Sequence, residues 1–484
     1  MFRTLLLPLA ALSLTASACA QDAPATDLLP PEAVREDFTA LYSGLREASY
    51  DLFAVTPEAM FDQRYQEMLA GFDRPMTRIE AQIAFQRFAS LARIAHTRID
   101  FPMADYAAFR EAGGRAFPVS IRVHEGAVFV ESAPAGLGLE PGDEILAVNG
   151  QPNPIWLGLL SRNVSADTPR LAHTLVELYL PGLIWIEWPE MTEAELSVRR
   201  ANAETGTVTV PFLSAEERDA RGSVAAETFS LDGQEARMIG EDIAYLRPGP
   251  FYNTTPGADV WDNSDFVAFV DASFADFNSA GATDLILDLR DNPGGDNSFS
   301  DPIVAWFADE DFRFASDFRI RVSNQTTAAN QARLDASGET AAGSISARFA
   351  ELYAGHETGD VVEFEIEYAS PREGDRFDGR VFVLVNRYSF SNAVTTAALI
   401  QDYGFGTIMG ETTADMATTH GAMEHFTLPH TGLTVGYPKA LIIRPNGNET
   451  VGPLVPDVRI ALPAIRGETD VMLDEAVRRI RSGG

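Results

Sequence analysis

The sequence predicts a mixed α/β protein with a helical N-terminal region, a strand-rich middle and an α/β C-terminal half. Apolar residues recur at helical spacing from about Pro31 to Ala95. Through residues 112–215 they alternate or form β-branched runs, which indicates strands. From Ala226 onward, short apolar strands alternate with helices, as in layered α/β structures. At roughly 150 residues per domain, a chain of 484 residues should hold about three domains.

The composition narrows the function classes. The net charge is −33, which excludes nucleic acid as the main partner because a polyanion would be repelled. The sequence contains one lysine, Lys439, so a mechanism that needs a lysine base has one candidate. It also contains one cysteine, Cys19, which excludes structural disulfides, cysteine zinc clusters and thioredoxin-type redox chemistry.

The N-terminus has the features of an export signal. A basic residue precedes the apolar stretch Leu5 to Leu14, which is too short to span a bilayer. Two interpretations remain open: Ala18-Cys19-Ala20 is an ordinary cleavage site, or Cys19 is the lipid-accepting cysteine of a bacterial lipoprotein. We therefore predict a signal peptide at residues 1–20, a linker at 21–30, and a periplasmic protein that is either free or anchored through Cys19.

Residues 31–111 form the predicted helical region. Thr77-Arg78-Ile79-Glu80 is a capping box that should open a helix. This helical pattern continues towards His96, where the period changes from helical to alternating. His96 should therefore lie at a junction between a helix and a strand.

Residues 112–222 form the predicted strand-rich domain. Its segment from Leu137 to Gly150 reads LGLEPGDEILAVNG, which resembles a characteristic segment of PDZ domains. The alternative is a turn–strand–turn unit with a Pro-Gly turn and an Asn-Gly turn. We interpret the domain as PDZ-like.

Two strand-to-loop junctions in the last part, residues 223–484, carry the candidate chemistry. The apolar strand 285–289 is followed by Pro293-Gly294-Gly295, and glycines let backbone N–H groups turn into a cavity to hold a negative oxygen. The apolar strand 381–385 passes through a tight turn into a helix, which would expose a serine hydroxyl near the positive helix N-terminus. Taken alone, Ser389 or Ser391 could equally be a helix N-cap.

The two junctions together resemble the carboxyl-terminal-processing (tail-specific) serine protease family. The resemblance covers most of the chain, and the Asp-Leu-Arg-Asp-Asn-Pro-Gly-Gly loop that ends at Gly295 is its most specific part. It implies a crotonase/ClpP-like catalytic core, in which the polar composition of about 309–376 predicts an insertion. It also implies a nucleophile at Ser391, an oxyanion hole from Gly294 or Gly295 and Asn392, no cofactor, and polypeptide substrates that are recognised by their C-termini.

The sequence departs from the family at the general base. Typical members carry a catalytic lysine where this chain has Met416, and Lys439 lies far downstream. The segment around His96 resembles the tricorn-type branch of the family, which uses Ser, His and Glu. That branch places its glutamate shortly before a Gly-x-x-Pro-Asp stretch, and Glu449 fits this position. We therefore predict a Ser391/His96/Glu449 triad.

Three functions remain to be compared. The prediction is an exported serine peptidase that needs no metal or cofactor. One alternative is an inactive PDZ-bearing peptide-binding or scaffold protein, because Met416 has replaced the lysine. The other is an esterase that uses the same triad. The five-residue spacing of His420, His425 and His430 fits neither a helical nor a strand metal site, so we expect no metal there.

Overall fold

The computed structural model describes residues 28–224, 233–337, 344–461, 463–465, 467 and 469–483. The predicted signal peptide, with Cys19, and most of the predicted linker lie outside these residues. Within the described residues, no helix has the length and apolar character that crossing a membrane requires.

The described residues alternate between helices and strands in a mixed α/β arrangement, which confirms the predicted fold class. The helices are α1 (Pro31–Ala48), α2 (Glu58–Gly71), α3 (Arg78–Ala89), α4 (Met103–Glu111), α5 (Asn153–Ser161), α6 (Pro169–Glu187), α7 (Ala215–Arg221), α8 (Ser264–Ala280), α9 (Asn297–Val304), α10 (Asn324–Ser337), α11 (Ile345–Ala354), α12 (Asn392–Tyr403) and α13 (Val471–Arg481). The strands are β1 (Ser120–His124), β2 (Ala127–Pro134), β3 (Glu144–Val148), β4 (Gln151–Pro152), β5 (Glu193–Arg199), β6 (Thr205–Pro211), β7 (Ser223–Val224), β8 (Glu235–Ile239), β9 (Ile243–Arg247), β10 (Asp284–Asp288), β11 (Asp317–Arg321), β12 (Val361–Glu363), β13 (Arg380–Val385), β14 (Thr407–Gly410), β15 (Met416–Thr427), β16 (Thr434–Ile443), β17 (Gly452–Pro453) and β18 (Val458–Arg459).

The N-terminal region is helical, as predicted. The capping box at the start of α3 is present: Thr77 Oγ1 accepts from the N–H of Glu80 at 3.2 Å, and the Glu80 carboxylate accepts from the N–H of Thr77 at 2.7 Å. A short 3-10 turn, Ser90–Ala92, follows α3. The strand predicted after His96 is reduced to a single bridge between Arg98 and Gly436, which ties this segment to β16.

A seven-stranded antiparallel sheet forms the middle of the chain. Its order is β1-β2-β3-β5-β6, with β4 beside β3 and β7 beside β2. The inward side chains of these strands pack against α5 and α6 in one apolar core, in which Val128, Val130 and Leu196 are fully buried. The largely apolar residues 178–187 form the second half of α6.

The C-terminal half is built on a six-stranded sheet of order β18-β14-β13-β10-β9-β8. Its strands are parallel except for β8. Leu285 and Leu287 of β10 face α8, α9 and α12, and Ile286 faces α13 on the other side. A parallel sheet covered on both faces explains why these strands are continuous apolar runs.

A five-stranded sheet of order β12-β11-β16-β15-β17 lies beside it. The predicted insertion at 309–376 contains two strands of this sheet, β11 and β12, and two helices, α10 and α11. Phe318 and Ile320 of β11 share a core with Phe349 and Tyr353 of α11. The long hairpin β15–β16 also packs against the N-terminal helices, because its residues Val435 and Tyr437 belong to their core.

This topology brings the two predicted junctions together. β10 and β13 are parallel neighbours, and Asp288 pairs with Leu384 at their carboxyl ends. The loops that follow two such strands leave the same edge of the sheet. The glycine loop and the serine turn are therefore adjacent.

Candidate active site

Ser391 lies in a strained turn between β13 and α12. Its backbone has φ 51° and ψ −124°, in a region that residues with a Cβ rarely adopt. A serine held this way between a strand and a helix has the geometry of a nucleophile elbow. Strain of this kind persists only where the surrounding contacts hold it, and it concentrates at functional sites.

The structure distinguishes Ser391 from Ser389. The Ser389 hydroxyl is fully buried, donates to the carbonyl of Leu289 at 2.8 Å and accepts from the N–H of Asn386 at 3.0 Å. The half-buried Ser391 precedes α12, but its side chain makes no capping hydrogen bond. Ser389 is therefore a structural residue, whereas the Ser391 hydroxyl is not engaged by its own helix.

The Asn386 side chain and one backbone hydrogen bond join the serine turn to the glycine loop. Asn386 Oδ1 accepts from the N–H of Ser389 at 3.1 Å and from the N–H of Asp291 at 3.2 Å. Across the same gap, the N–H of Phe390 donates to the carbonyl of Asn292 at 2.9 Å. The two loops are thus fixed to each other by hydrogen bonds of the residues that directly precede Ser391.

Gly294 approaches the serine turn so closely that a side chain would not fit. A Cβ at this position would lie 2.5 Å from the carbonyl oxygen of Phe390 and 2.7 Å from the nitrogen of Asn392. The N–H of Gly294 already donates to Asn292 Oδ1 at 2.8 Å, so it is not available to an oxyanion. This corrects Gly294 as a predicted donor.

Two donors remain for a negative oxygen beside Ser391. In the described part of the chain, the N–H groups of Gly295 and Asn392 have no protein acceptor. Asn392 is the first residue of α12, so the positive end of the helix dipole also points here. Among the predicted oxyanion donors in the described residues, Gly295 and Asn392 are therefore the two whose N–H groups have no acceptor.

His96 lies next to the serine turn, buried to 7% exposure. Its ring stacks on Phe390, with ring centroids 6.2 Å apart. Burial, helped by the charge of Arg98, lowers the pKa of His96 to about 4, and the carbonyl of His420 only partly offsets this. Nδ1 is buried without a hydrogen-bond partner. A neutral imidazole with a free nitrogen can accept a proton, although no hydrogen bond joins His96 and Ser391 in this structure.

Glu449 is not beside His96 in this structure. Its carboxylate lies 2.7 Å from Arg319 Nη2, and its side chain is 62% exposed. The charge of Glu449 also acts on Tyr50. The ring of Tyr50 lies 6.0 Å from that of His420, whose carbonyl contacts His96. The structure therefore brings together Ser391, His96 and the glycine loop, and it pairs Glu449 with an arginine.

Met416, which the resemblance places where typical members carry a lysine, is buried. Met416 is 3% exposed at the start of β15. Lys439 is engaged elsewhere: its Nζ lies 2.8 Å from Glu424 Oε1 and 4.1 Å from the centre of the Phe349 ring. Lys439 is thus held in a buried ion pair on β16.

The described residues contain no group of three or more His, Cys, Asp or Glu that could hold a metal. The acidic residues of the glycine loop are used internally. Asp288 accepts from Tyr245 and Arg290, Asp291 accepts from Asn386, and Asp296 caps α9. Because these carboxylates have partners within the protein, the groups that the loop can offer to a substrate are its backbone N–H groups.

Sequence reasoning missed two carboxyl groups at this site, the buried Asp415 and the half-buried Asp167. Asp415 Oδ2 accepts from the N–H of Ser391 at 2.5 Å, and Asp167 Oδ2 accepts from the N–H of Ala95 at 3.1 Å. Asp415 directly precedes Met416, so the residue beside the missing lysine was a usable signal. Nothing in the sequence around Asp167 pointed to the site.

Residues 244–460 match the sequence profile described as Peptidase family S41. No curated protein matches the chain significantly. Among solved structures, mature CPAF complexed with lactacystin has a TM-score of 0.63 at 14% identity, over 93% of this chain and 98% of that chain. Mature CPAF has a TM-score of 0.61 at 15% identity, over 93% and 97%. The photosystem II D1 C-terminal processing protease has a TM-score of 0.43 at 16% identity, over 89% and 95%. The CPAF structures share the fold of this chain.

Proposed function

Because the chain belongs to peptidase family S41 through residues 244–460, and is thereby a serine-type peptidase, we propose that it hydrolyses peptide bonds through a Ser391/His96/Glu449 triad. The observation that carries this proposal is the conformation of Ser391. A serine at φ 51° with a hydroxyl that its helix does not use lies directly against a glycine loop that offers a free N–H group.

In the proposed mechanism, His96 takes the proton of Ser391 while the serine oxygen attacks the peptide carbonyl. The N–H groups of Gly295 and Asn392 hold the oxyanion. His96 then protonates the leaving amine, and water releases the acyl-enzyme through the same imidazole. Catalytic hydrogen bonds are often long or absent before substrate binds. The stacking of His96 on Phe390 places the imidazole against the residue that precedes Ser391.

Glu449 has the third role in the proposed triad, which is to orient His96 and stabilise the imidazolium. For this role its carboxylate must leave Arg319, which is half-buried. An ion pair with an exposed glutamate is worth little. Because Glu449 is 62% exposed, exchanging Arg319 for His96 as its partner costs little free energy. Binding of substrate between the N-terminal region and the core is the step that we expect to drive it.

We expect Glu449→Gln to lower kcat by about 10²–10⁴-fold, because a neutral amide cannot stabilise the imidazolium. Arg319→Gln should leave kcat unchanged or raise it, because it frees Glu449. Kinetics with a peptide substrate would measure both. Glu367→Gln is the matched control, since Glu367 is an exposed glutamate that also lies 2.7 Å from an arginine. Full activity of Glu449→Gln would remove Glu449 from the mechanism and leave a Ser391/His96 dyad.

The proposal extends to substrate and location. We propose polypeptide substrates that the PDZ-like domain at residues 112–222 recruits by their C-termini. We also propose export to the periplasm, with Cys19 as the site of either lipidation or cleavage. Sequence features support these two points: the segment from Leu137 to Gly150 and the apolar stretch before Cys19.

A fluorophosphonate probe tests the central step. The probe reacts only with an activated serine, so peptide-level mass spectrometry should find the adduct on Ser391. The adduct should be lost in Ser391→Ala and His96→Ala. If the folded protein forms no adduct, the catalytic proposal is wrong and the peptide-binding alternative stands. Turnover of a matched ester but not of the corresponding peptide would instead identify an esterase.

A further inference from the structure

Two carboxyl groups that have no part in the triad contact its segments: the buried Asp415 beside Ser391 and the half-buried Asp167 beside His96. Asp415 is 1% exposed, and its Oδ2 accepts the hydrogen bond from the N–H of Ser391 at 2.5 Å. Its other oxygen, Oδ1, is buried without a partner. The contact therefore holds the main chain of the nucleophile itself, at the residue whose φ is 51°.

Asp167 makes the corresponding contact with the segment that carries the base. Its Oδ2 accepts from the N–H of Ala95 at 3.1 Å, and Ala95 directly precedes His96. Asp167 comes from the segment before α6, in the middle part of the chain. Three separate parts of the chain thus meet at the two carboxyl groups.

A small apolar cluster fixes this meeting point. It contains Ala95, Ala166 and Ala414, with Phe390 packed against it. These four residues directly precede His96, Asp167, Asp415 and Ser391. The base, the nucleophile and both carboxyl groups therefore lie around one set of packed side chains.

The surroundings of the two carboxyl groups oppose a double negative charge. Burial, with the charge of Asp415, raises the pKa of Asp167 to about 7. Burial raises the pKa of Asp415 to about 6, although the N–H groups of Ser391 and Met416 and the charge of Arg98 lower it. Arg98 is the charged side chain that faces Asp415, and Asp415 is the one that faces Asp167. Because the charge of Asp415 opposes ionisation of Asp167, the two carboxyl groups retain one proton between them until the second is titrated.

We propose that Asp415 and Asp167 are positioning residues that share one proton, and that this pair holds the nucleophile turn and the His96 segment in register. The inference rests on the proposed function of Ser391 and His96. A protonated pair can accept the N–H of Ser391 without placing a second negative charge beside the oxyanion. When the last proton leaves, repulsion separates the carboxyl groups and moves the two segments that they hold.

The catalytic test compares Asp415→Asn with Asp415→Ala. The rate constant for fluorophosphonate acylation is measured from about pH 5 to about pH 9. The wild-type rate should fall on the alkaline side as the pair ionises. In Asp415→Asn the amide oxygen still accepts the N–H of Ser391 and no charge forms, so the alkaline fall should disappear. Asp415→Ala loses the acceptor and should react about 10²-fold more slowly throughout, which is a typical cost of misplacement.

Two results would overturn the positioning role. One is an Asp415→Ala rate equal to that of the wild type. The other is an unchanged alkaline fall in Asp415→Asn. An effect that appears in KM with kcat unchanged would likewise contradict it, because neither carboxyl group is proposed to touch substrate.

A second measurement does not depend on catalysis. Between the ordinary carboxyl pKa and the raised values, the folded state binds more protons than the unfolded state, so this pair makes stability fall as pH rises. Asp167→Asn removes that penalty. Its Tm advantage over the wild type should grow by a few degrees from about pH 5 to about pH 8. A constant difference overturns the shared proton. If the Tm difference grows with pH but the fluorophosphonate probe does not label Ser391, the result supports the carboxyl pair and refutes the peptidase mechanism.

Discussion

Replacing Ser391 by alanine is expected to lower peptide turnover by about 10⁴–10⁶-fold, and His96→Ala should cost nearly as much. The serine oxygen is a weak nucleophile unless a base removes its proton, so either change removes the same step. The double variant should therefore be no slower than Ser391→Ala alone. Single-turnover kinetics with a peptide substrate would measure all three variants.

The controls separate chemistry from folding. His430 is a surface histidine that lies 2.6 Å from Glu36, and His430→Ala should retain wild-type turnover. Because His96 is buried, His96→Gln provides a second variant of more similar volume, and its Tm reports the fold. Near-normal turnover in a folded His96 variant would show that another group is the base. Losses that multiply in the double variant would show that the two residues do not act together.

The pH dependence of the free enzyme follows from the burial of His96. The base must be neutral, and burial lowers its pKa to about 4. The acid limb of kcat/KM should therefore lie near that pH rather than near the ordinary histidine value. On the alkaline side, ionisation of the Asp415/Asp167 pair should set the second limb.

The parts of the site that the sequence revealed depend on local chain geometry. Ser391 and Gly295 follow two apolar strands, and parallel neighbouring strands necessarily present their following loops at one edge. Strand and turn signals are local, so this juxtaposition could be predicted once both strands were found. The missing lysine at Met416 directed attention to histidine as the base, and the resemblance to the tricorn-type branch singled out His96.

The parts that could not be predicted depend on tertiary approach. Glu449 pairs with Arg319 through a contact between residues 130 positions apart, and no local pattern reports such a partner. The acceptor role of Asn292 Oδ1, which occupies the N–H of Gly294, is a side-chain orientation that spacing does not specify. Asp167 reaches the site only because α6 packs beside the His96 segment.

One segment carried a further signal. The polar composition of 309–376 suggested an insertion, and within it β11 pairs with β16 in the five-stranded sheet. The strand reads Asp-Phe-Arg-Ile-Arg, and its alternation buries Phe318 and Ile320 on one face. Two-residue periodicity would have identified this strand even though the surrounding composition is polar.

A buried ion network joins the middle sheet to the nucleophile turn. Arg387, four residues before Ser391, lies 2.7 Å from Glu411 Oε1 and donates to the carbonyl of Val123 in β1. Arg170 at the start of α6 also lies 2.7 Å from Glu411. Burial would raise the pKa of Glu411, but the hydrogen bonds and charge of Arg387, with the charge of Arg170, hold it below its usual value. Glu411 is thus the shared anion between two parts of the chain.

Glu411→Gln should lower the free energy of unfolding by about 3–5 kcal/mol, because it leaves the buried Arg387 without its main counter-ion. Arg387 then retains Glu177 at 3.5 Å as a weaker partner. Glu144→Gln is the matched control, since its ion pair with Arg199 has the same 2.7 Å length but an arginine that is 48% exposed. That variant should change stability by less than about 1 kcal/mol. Urea unfolding would compare the two variants, and equal effects would show that the network does not hold the middle sheet against the nucleophile turn.

If the network holds the nucleophile turn in place, Glu411→Gln should also slow acylation of Ser391 under conditions where the variant is fully folded. The reason is that the turn that presents the serine begins at Arg387.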